Sequence, residues 1–528
     1  MPIESMSDHV WLTAALRARL AAQMSQPVET IETHISTVLL AGEFAYKLKK
    51  PVSLGFLDFS TLAQRRFFCE EELRLNRRTA PQIYLDVVPI AGSADAPSIG
   101  AGELVLDYAV RMRRFDTAAV LDQVARDGRL TADAIDRLAQ AIARFHAAAV
   151  RVGPESEFGT TATVSHWQLD NVDSLRAHAH SPEARERLDR LADWTRGQLE
   201  RHAPRLAARH ADGFIRECHG DLHLGNIVLL GVGAGEPTPF DAIEFNPELR
   251  WIDVVSDVAF TTMDLHDHRL SGLAWRLASG YFEHTGDYEG LALLQLYSVY
   301  RALVRAKVAQ IREHQPQLAR AARVHEFRSF ADHLALAERL AEPGAPLLVA
   351  MSGLSGSGKS IVAQSIAEHI GGIRVRSDVE RKRLFGLPPT AASGGSIYTA
   401  EATRRTYARL HAVARIAAAA GVPVVIDAAS LRQAERDALR TLAAELGARF
   451  VLVVCEAPLD VLRARVGARA AAGADASEAD LPVLERQIGW REPLAPGELA
   501  KSTVVDTAID RGALEARCRE IAATLQQG

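Results

Sequence analysis

Gly353-Leu354-Ser355-Gly356-Ser357-Gly358-Lys359-Ser360 satisfies the spacing GxxxxGK[ST] at every fixed position. An apolar run, Leu347 to Met351, leads into it, and Val362, Ile366 and Ile370 share one helical face after it. Strand, glycine loop and helix are the context this motif needs. Glycines let backbone N–H groups turn inward around an oxyanion, and a helix start adds the positive end of its dipole. Gly353, Gly356, Ser357 and Gly358 therefore read as a cradle for the phosphates of ATP. Lys359 is placed to reach the β- and γ-phosphates, and the Ser360 hydroxyl to ligate Mg²⁺. With spacing and flanks both in place, a plain strand-to-helix turn is the weaker reading.

Downstream the chain alternates strand and helix. Expected strands are Leu347–Met351, Ile373–Arg376, Val424–Asp427, Phe450–Val454 and Thr503–Val505. This rhythm predicts a parallel sheet wound on both faces, a P-loop NTPase fold of the α/β class. Val424 to Asp427 is an apolar strand ending in a carboxylate, which makes Asp427 a candidate second support for the metal. Asp378, at the end of Arg376-Ser377-Asp378, faces the crevice where open α/β sheets bind ligands, and is the candidate for the acceptor hydroxyl. Arg465 and Arg469 lie four apart on one helical face, as arginines closing on a transferring phosphate would; solvated helix arginines would look the same. Residues 346 to 528 resemble the P-loop kinases grouped with gluconate, nucleoside monophosphate and polynucleotide kinases. The motifs that carry the resemblance are GLSGSGKS, the VRSD ending at Asp378, the VVID ending at Asp427, and CEAPLDVLRARVGAR from Cys455.

Upstream, Cys218-His-Gly-Asp-Leu-His-Leu-Gly-Asn226 sets Asp221 and Asn226 five apart in a loop that enters the strand Ile227 to Leu230. That matches the catalytic-loop logic HxDxxxxN, in which the aspartate aligns an acceptor hydroxyl and the asparagine holds Mg²⁺. Asp241, in Phe240-Asp-Ala-Ile-Glu-Phe245, follows another short strand and is placed to be a further metal ligand; Glu244 is either a third polar group or a helix-start residue. The pattern HGDLHLGN followed by DxxEF resembles the aminoglycoside phosphotransferase and choline kinase superfamily over roughly residues 30 to 335. The resemblance implies a protein-kinase-like two-lobed fold of the α+β class, with a small mixed N-lobe and a helical C-lobe. It also implies an N-lobe lysine with a glutamate partner. Lys47 and Lys49 lie on the same face of a strand, because strand side chains alternate; Lys47 is the favoured ATP-phosphate lysine. Glu70, Glu71 and Glu72 are the partner candidates. Glu71 is favoured because Leu75, four residues on, would turn the same face inward. One departure is clear: Leu40-Ala-Gly-Glu-Phe44 has a single glycine where a GxGxxG loop would cover the phosphates.

The break between the two halves is Ala341-Glu-Pro-Gly-Ala-Pro346. The expected organisation is a kinase-like domain over 1–340, with its N-lobe about 1–115 and C-lobe about 116–340, a linker at 341–346, and the P-loop kinase domain over 347–528. The fusion resembles bifunctional aminoglycoside phosphotransferase/ATP-binding proteins. In the C-lobe, Ile135, Leu138, Ile142 and Phe145 form one helical face, and 271 to 340 reads as helical.

At 528 residues the chain is too long for a single core. Its net charge of −5 lacks the basic field of a nucleic-acid binder. The kinase resemblances imply a small-molecule hydroxyl acceptor, the alternatives being a nucleic-acid end as acceptor for the P-loop half and a nucleotide-binding regulatory module without transferase activity for one half. The run Arg111 to Arg114 reads as a solvated face. Four scattered cysteines, no leader pattern and no apolar run of membrane length make the cytoplasm the expected compartment.

Overall fold

The computed structural model describes residues 3–54, 57–93, 95–100, 102–231, 233, 235–314, 319–389, 391–393, 397–472 and 476–527. Contacts divide the chain into two compact units, Met1–Asp170 with Leu199–Thr261, and Asn171–Gln198 with Thr262–Gly528.

The first unit is built on a six-stranded antiparallel sheet. Its strands run in the order Glu29–Glu32, Ser36–Ala41, Phe44–Lys49, Val105–Arg113, Tyr84–Ser93 and Ala96–Ile99. Gly42, at φ 59°, makes the tight turn between the second and third strands in the order. Alternation gives each face its own partner. Tyr46 and Leu48 point with Leu39 toward Leu12, Leu16 and Leu20 of the helix Met6–Met24. Leu40 and Ala45 point the opposite way, with Cys69 of the helix Leu62–Asn76. Lys47 and Lys49 share the face of Ala45, so the same pleat turns both toward that helix. The helix starts at the cap Thr61, whose hydroxyl accepts from the Gln64 N–H while the Gln64 side chain accepts from the Thr61 N–H.

Beyond the sheet, the helix Ala132–Ala148 buries Ile135, Leu138 and Ile142 as its periodicity predicts. Its last turn differs from expectation. His146 is the residue turned inward, and Phe145 instead receives the Arg78 guanidinium 5.2 Å from its ring centre. Two small antiparallel pairs, Ile215–Glu217 with Trp251–Asp253 and Ile227–Leu230 with Glu236–Pro239, bracket the loop that begins at Cys218. The arginines of the 111–114 run are tied down by carboxylates: Arg111 to Asp86 at 2.6 Å, Arg113 to Glu43 at 3.0 Å, Arg114 to Glu29 at 2.9 Å.

The second unit holds a five-stranded, fully parallel sheet in the order Ile373–Arg376, Val424–Asp427, Leu347–Ser352, Arg449–Glu456, Ser502–Asp506. The first of these strands in sequence, Leu347–Ser352, is central, so the chain reverses its winding direction there. Ligands of open α/β sheets bind at such a switch point, at the carboxyl ends of the strands. The helix Lys359–Ile370 lays Val362, Ile366 and Ile370 against Val349, Met351 and Val453. The helices Ser271–Thr285, Leu291–Glu313 and Arg320–Ala341 belong to this unit; residues 315–318, inside the stretch expected to be helical, lie outside the described residues. Ser279 Oγ accepts the Arg374 N–H at 2.9 Å, and Glu283 stands 3.5 Å from Arg374. No helix among the described residues is long and apolar enough to cross a membrane.

Candidate active sites

In the first unit, Lys47 Nζ lies 2.9 Å from Glu72 Oε1 and 2.5 Å from Asp241 Oδ1. Lys49 Nζ lies 2.8 Å from Glu72 Oε2 and also pairs with Glu244. Glu72 thus carries a lysine on each carboxylate oxygen. Burial opposes the charge of all these groups. Lys47 nevertheless stays charged well above the ordinary lysine range because Asp241, Glu72 and Glu244 surround it. Lys49 is raised in the same way by Glu244 and Glu72. The two lysines overcome burial at Glu72 and bring its carboxyl down to about 2. Glu244 goes the other way: burial pushes its carboxyl up in spite of Lys49.

The glutamate paired with the N-lobe lysine is therefore Glu72, and the expectation of Glu71 is corrected. The buried stripe of the helix is Arg65, Cys69, Glu72, Leu75 and Asn76, and Glu71 lies one residue off it. Glu71 instead pairs with Arg74 at 2.7 Å and Arg250 at 2.8 Å. Arg74, Arg78 and Arg250 in turn converge on Glu217, just ahead of the catalytic-type loop. Adjacent glutamates thus serve different surfaces: Glu72 meets the lysines, and Glu71 docks the helix.

The segment from Cys218 is held from beneath by Asp257, which is fully buried. Its carboxylate accepts the His219 N–H at 3.0 Å and the Gly220 N–H at 2.9 Å, and lies 3.1 Å from His146 Nε2. Those bonds lower its carboxyl below the usual range although burial acts to raise it. Asn226 donates from Nδ2 to Asp221 Oδ2 at 3.0 Å. The hairpin register sets Ile227 opposite Pro239, and the Phe240 N–H donates to the Asn226 carbonyl at 2.9 Å. Phe240 therefore lies across from Asn226, and Asp241 is the next residue along. His219 completes the stitch, with Nε2 2.9 Å from the Phe240 carbonyl and its own carbonyl accepting the Ile243 N–H. Asp221, Asn226, Asp241 and Lys47 are drawn into one place. The side-chain oxygens of Asp221, Asn226 and Asp241 are the hard donors that Mg²⁺ prefers.

In the second unit, Gly353, Gly356 and Gly358 have φ of 151°, 81° and 76°. A Cβ on Gly353 would fall 2.6 Å from the Cys455 carbonyl oxygen, and one on Gly356 2.8 Å from that of Leu462. The loop can follow this path only with glycine there. Lys359 folds back to donate to the Leu354 carbonyl at 2.8 Å, and burial pulls its ammonium below the ordinary range, partly offset by Asp427. Asp427 Oδ2 and Ser357 Oγ are buried with no hydrogen-bond partner among the described residues. An orphaned carboxylate oxygen close enough to act on Lys359 fits a divalent cation. Arg465 donates to the Gly356 carbonyl at 3.3 Å and the Thr507 carbonyl at 2.6 Å; Arg469 donates to the Ala479 carbonyl at 2.9 Å. Asp378 sits half-buried in the first turn of the helix Ser377–Leu384. Glu380, fully buried, pairs with Arg383 and Arg409, while Arg381 donates to the Ile397 carbonyl and stands over the Tyr398 ring.

Sequence reasoning passed over Asn76, Tyr84 and Asp257. No local pattern marks them, since each acts on a loop far away in the chain.

The phosphotransferase enzyme family matches residues 62–294, and an AAA domain matches residues 348–494. An uncharacterized protein of Mycobacterium tuberculosis is 32% identical over 473 residues, covering 88% of this chain and 91% of its own length. A match of that extent takes in both regions. The adenylyl-sulfate kinase of Myxococcus xanthus is 36% identical over 116 residues, 22% of this chain and 60% of that protein. A solved choline/ethanolamine kinase family protein from Mesorhizobium loti, 15% identical, aligns over 62% of this chain and 99% of its own, with a TM-score of 0.37.

Proposed function

The chain is a kinase belonging to the family of its mycobacterial relatives, a phosphotransferase-family domain joined to a P-loop kinase domain, and on that premise we propose that it carries two ATP-dependent centres. Each transfers the γ-phosphoryl group to a hydroxyl of a small molecule. The functional division follows the Pro/Gly stretch 341–346, with the kinase-like domain over 1–340 and the P-loop domain over 347–528.

In the first centre Lys47 grips the phosphate tail, oriented by Glu72. Asn226 and Asp241 are the residues to hold Mg²⁺. Asp221, aligned by Asn226, accepts the proton of the attacking hydroxyl. In the second, the Gly353–Ser360 backbone and Lys359 seat the phosphates, Ser360 and Asp427 are the metal-holding groups, and Asp378 meets the acceptor. Arg465 and Arg469 stand beside the loop to neutralise the transferring group. Bound Mg²⁺ would offset charge on the phosphate oxygens as the bond to the leaving phosphate lengthens. The protein's own contribution is positioning and fixed charge.

The observation that carries this reading is the meeting of Lys47, Glu72 and Asp241 within 2.9 Å contacts. The test is a screen of aminoglycosides, sugars, nucleosides, polyols and adenylyl sulfate for ATP consumption by the full chain. Lys359→Ala and Asp221→Ala variants assign each signal to its centre. Acceptor-stimulated turnover that survives both substitutions would sink the proposal.

A further inference from the structure

Among the described residues only four other than glycine adopt positive φ, and Asp241, at 65°, is one of them. A left-handed conformation is unfavourable for an L residue and persists only where its surroundings enforce it. Two side chains do so here. The Asp241 N–H donates to the Tyr84 hydroxyl at 3.1 Å, and the next N–H, that of Ala242, donates to Asn76 Oδ1 at 2.9 Å.

Both partners are themselves fixed. Tyr84 is 1% exposed and its ring lies in the cluster of Cys69, Val110, Met112 and Val228, with Phe240 against it. Asn76 is fully buried and donates from Nδ2 to the carbonyl of Glu72 at 2.9 Å. The helix that presents Glu72 to Lys47 therefore also presents Asn76 to the loop of Asp241. Neither loop N–H is part of a strand ladder, and that of Ala242, a buried residue, would lose this partner without Asn76.

We propose that Tyr84 and Asn76 are positioning residues that lock Asp241 in its left-handed conformation, so that its carboxylate is presented ready for Mg²⁺. The inference rests on the reading of Asp241 as a metal-holding group. The clamp is specific to the carboxylate's direction: a released loop relaxes toward ordinary φ and swings the side chain away from Lys47. Glu72 still holds Lys47 at 2.9 Å, so nucleotide contacts that do not involve the metal should persist.

The experiment uses full-length protein carrying Lys359→Ala and Asp427→Ala, which silence the second centre. Mn²⁺ binding in the presence of a non-hydrolysable ATP analogue is followed by the resonance signal of free Mn²⁺, alongside analogue binding without metal. Tyr84→Phe keeps the ring and removes one acceptor; it is expected to weaken Mn²⁺ roughly tenfold, the scale of one lost buried hydrogen bond. Metal-free analogue binding should change by less than about twofold on the same reasoning. Asn76→Ala should act in the same direction, and decides the matter if Tyr84→Phe fails to fold. Asp241→Ala should abolish the Mn²⁺ component. If it does not, the metal reading of Asp241 falls. If it does while Tyr84→Phe and Asn76→Ala leave Mn²⁺ affinity unchanged, or weaken both kinds of binding equally, the positioning role alone is overturned.

Discussion

Lys47 and Asp241 stand 194 residues apart in the chain and meet at 2.5 Å. One comes from the pleat of a strand, the other from a left-handed loop position, and Glu72 sits against the lysine from the remaining side. That three-way contact is the basis for the functional reading of the first unit.

Glu72 and Glu71 should separate cleanly on substitution. Glu72→Gln removes one charge from between two buried lysines, and breaking a buried pair of this kind costs about 3–5 kcal/mol. Denaturant unfolding should show that loss together with a collapse of ATP-dependent turnover. Glu71→Gln loosens pairs with the half-exposed Arg74 and the buried Arg250, both of which keep Glu217, so it should cost less than Glu72→Gln and leave Lys47 in place. Equal effects would contradict the geometry.

Asp221→Ala is expected to lower kcat of the first centre by about 10²–10⁴-fold, the usual worth of a general base. ATP affinity should hold, because Lys47 and Asp241 are untouched. Single-turnover rates and equilibrium nucleotide binding, measured with Lys359→Ala as background, provide the check. A variant that loses both together would point to collapse of the loop held by Asp257.

Gly356→Ala should damage the second centre alone. The new Cβ needs φ near 81° and lands 2.8 Å from the Leu462 carbonyl oxygen. Strain of about 1–3 kcal/mol should appear as weaker nucleotide binding by the P-loop half. Turnover that depends on Asp221 should be unchanged.

His9 makes stability depend on pH in a defined window. Burial, aided by Lys50, lowers its pKa to about 4 from the usual 6.5. Its ring lies 2.9 Å from the Thr37 hydroxyl. The folded value is depressed, so the unfolded chain binds the proton first. The contribution is complete above about 6.5 and is lost as pH falls toward 4. Glu72 acts with the same sign further down, from the ordinary carboxyl range to about 2. Melting curves between pH 7 and 4 should fall less steeply in His9→Gln, by up to roughly 1–3 kcal/mol over the window. Identical slopes would show that His9 is accessible to protons in the folded state.

The two loops proposed to carry the chemistry are readable along the chain because each motif is local. Eight consecutive residues make the glycine loop at Gly353, and nine place Asp221 and Asn226 in one loop. The period of a strand put Lys47 and Lys49 on a common face, and that too needs only neighbours. The choice between Glu71 and Glu72 was of another kind. The inward stripe of the helix Leu62–Asn76 includes Arg65, Glu72 and Asn76, so a search for apolar spacing cannot find it. The edge strand Glu29–Glu32, exposed at every position, and the inner strand Tyr84–Ser93, with its irregular pairing, carry no clean alternation either. Which carboxylate meets which lysine, and which side chains hold Asp241, depends on how a helix seats against a sheet. That seating is set by long-range packing, and no run of adjacent residues encodes it.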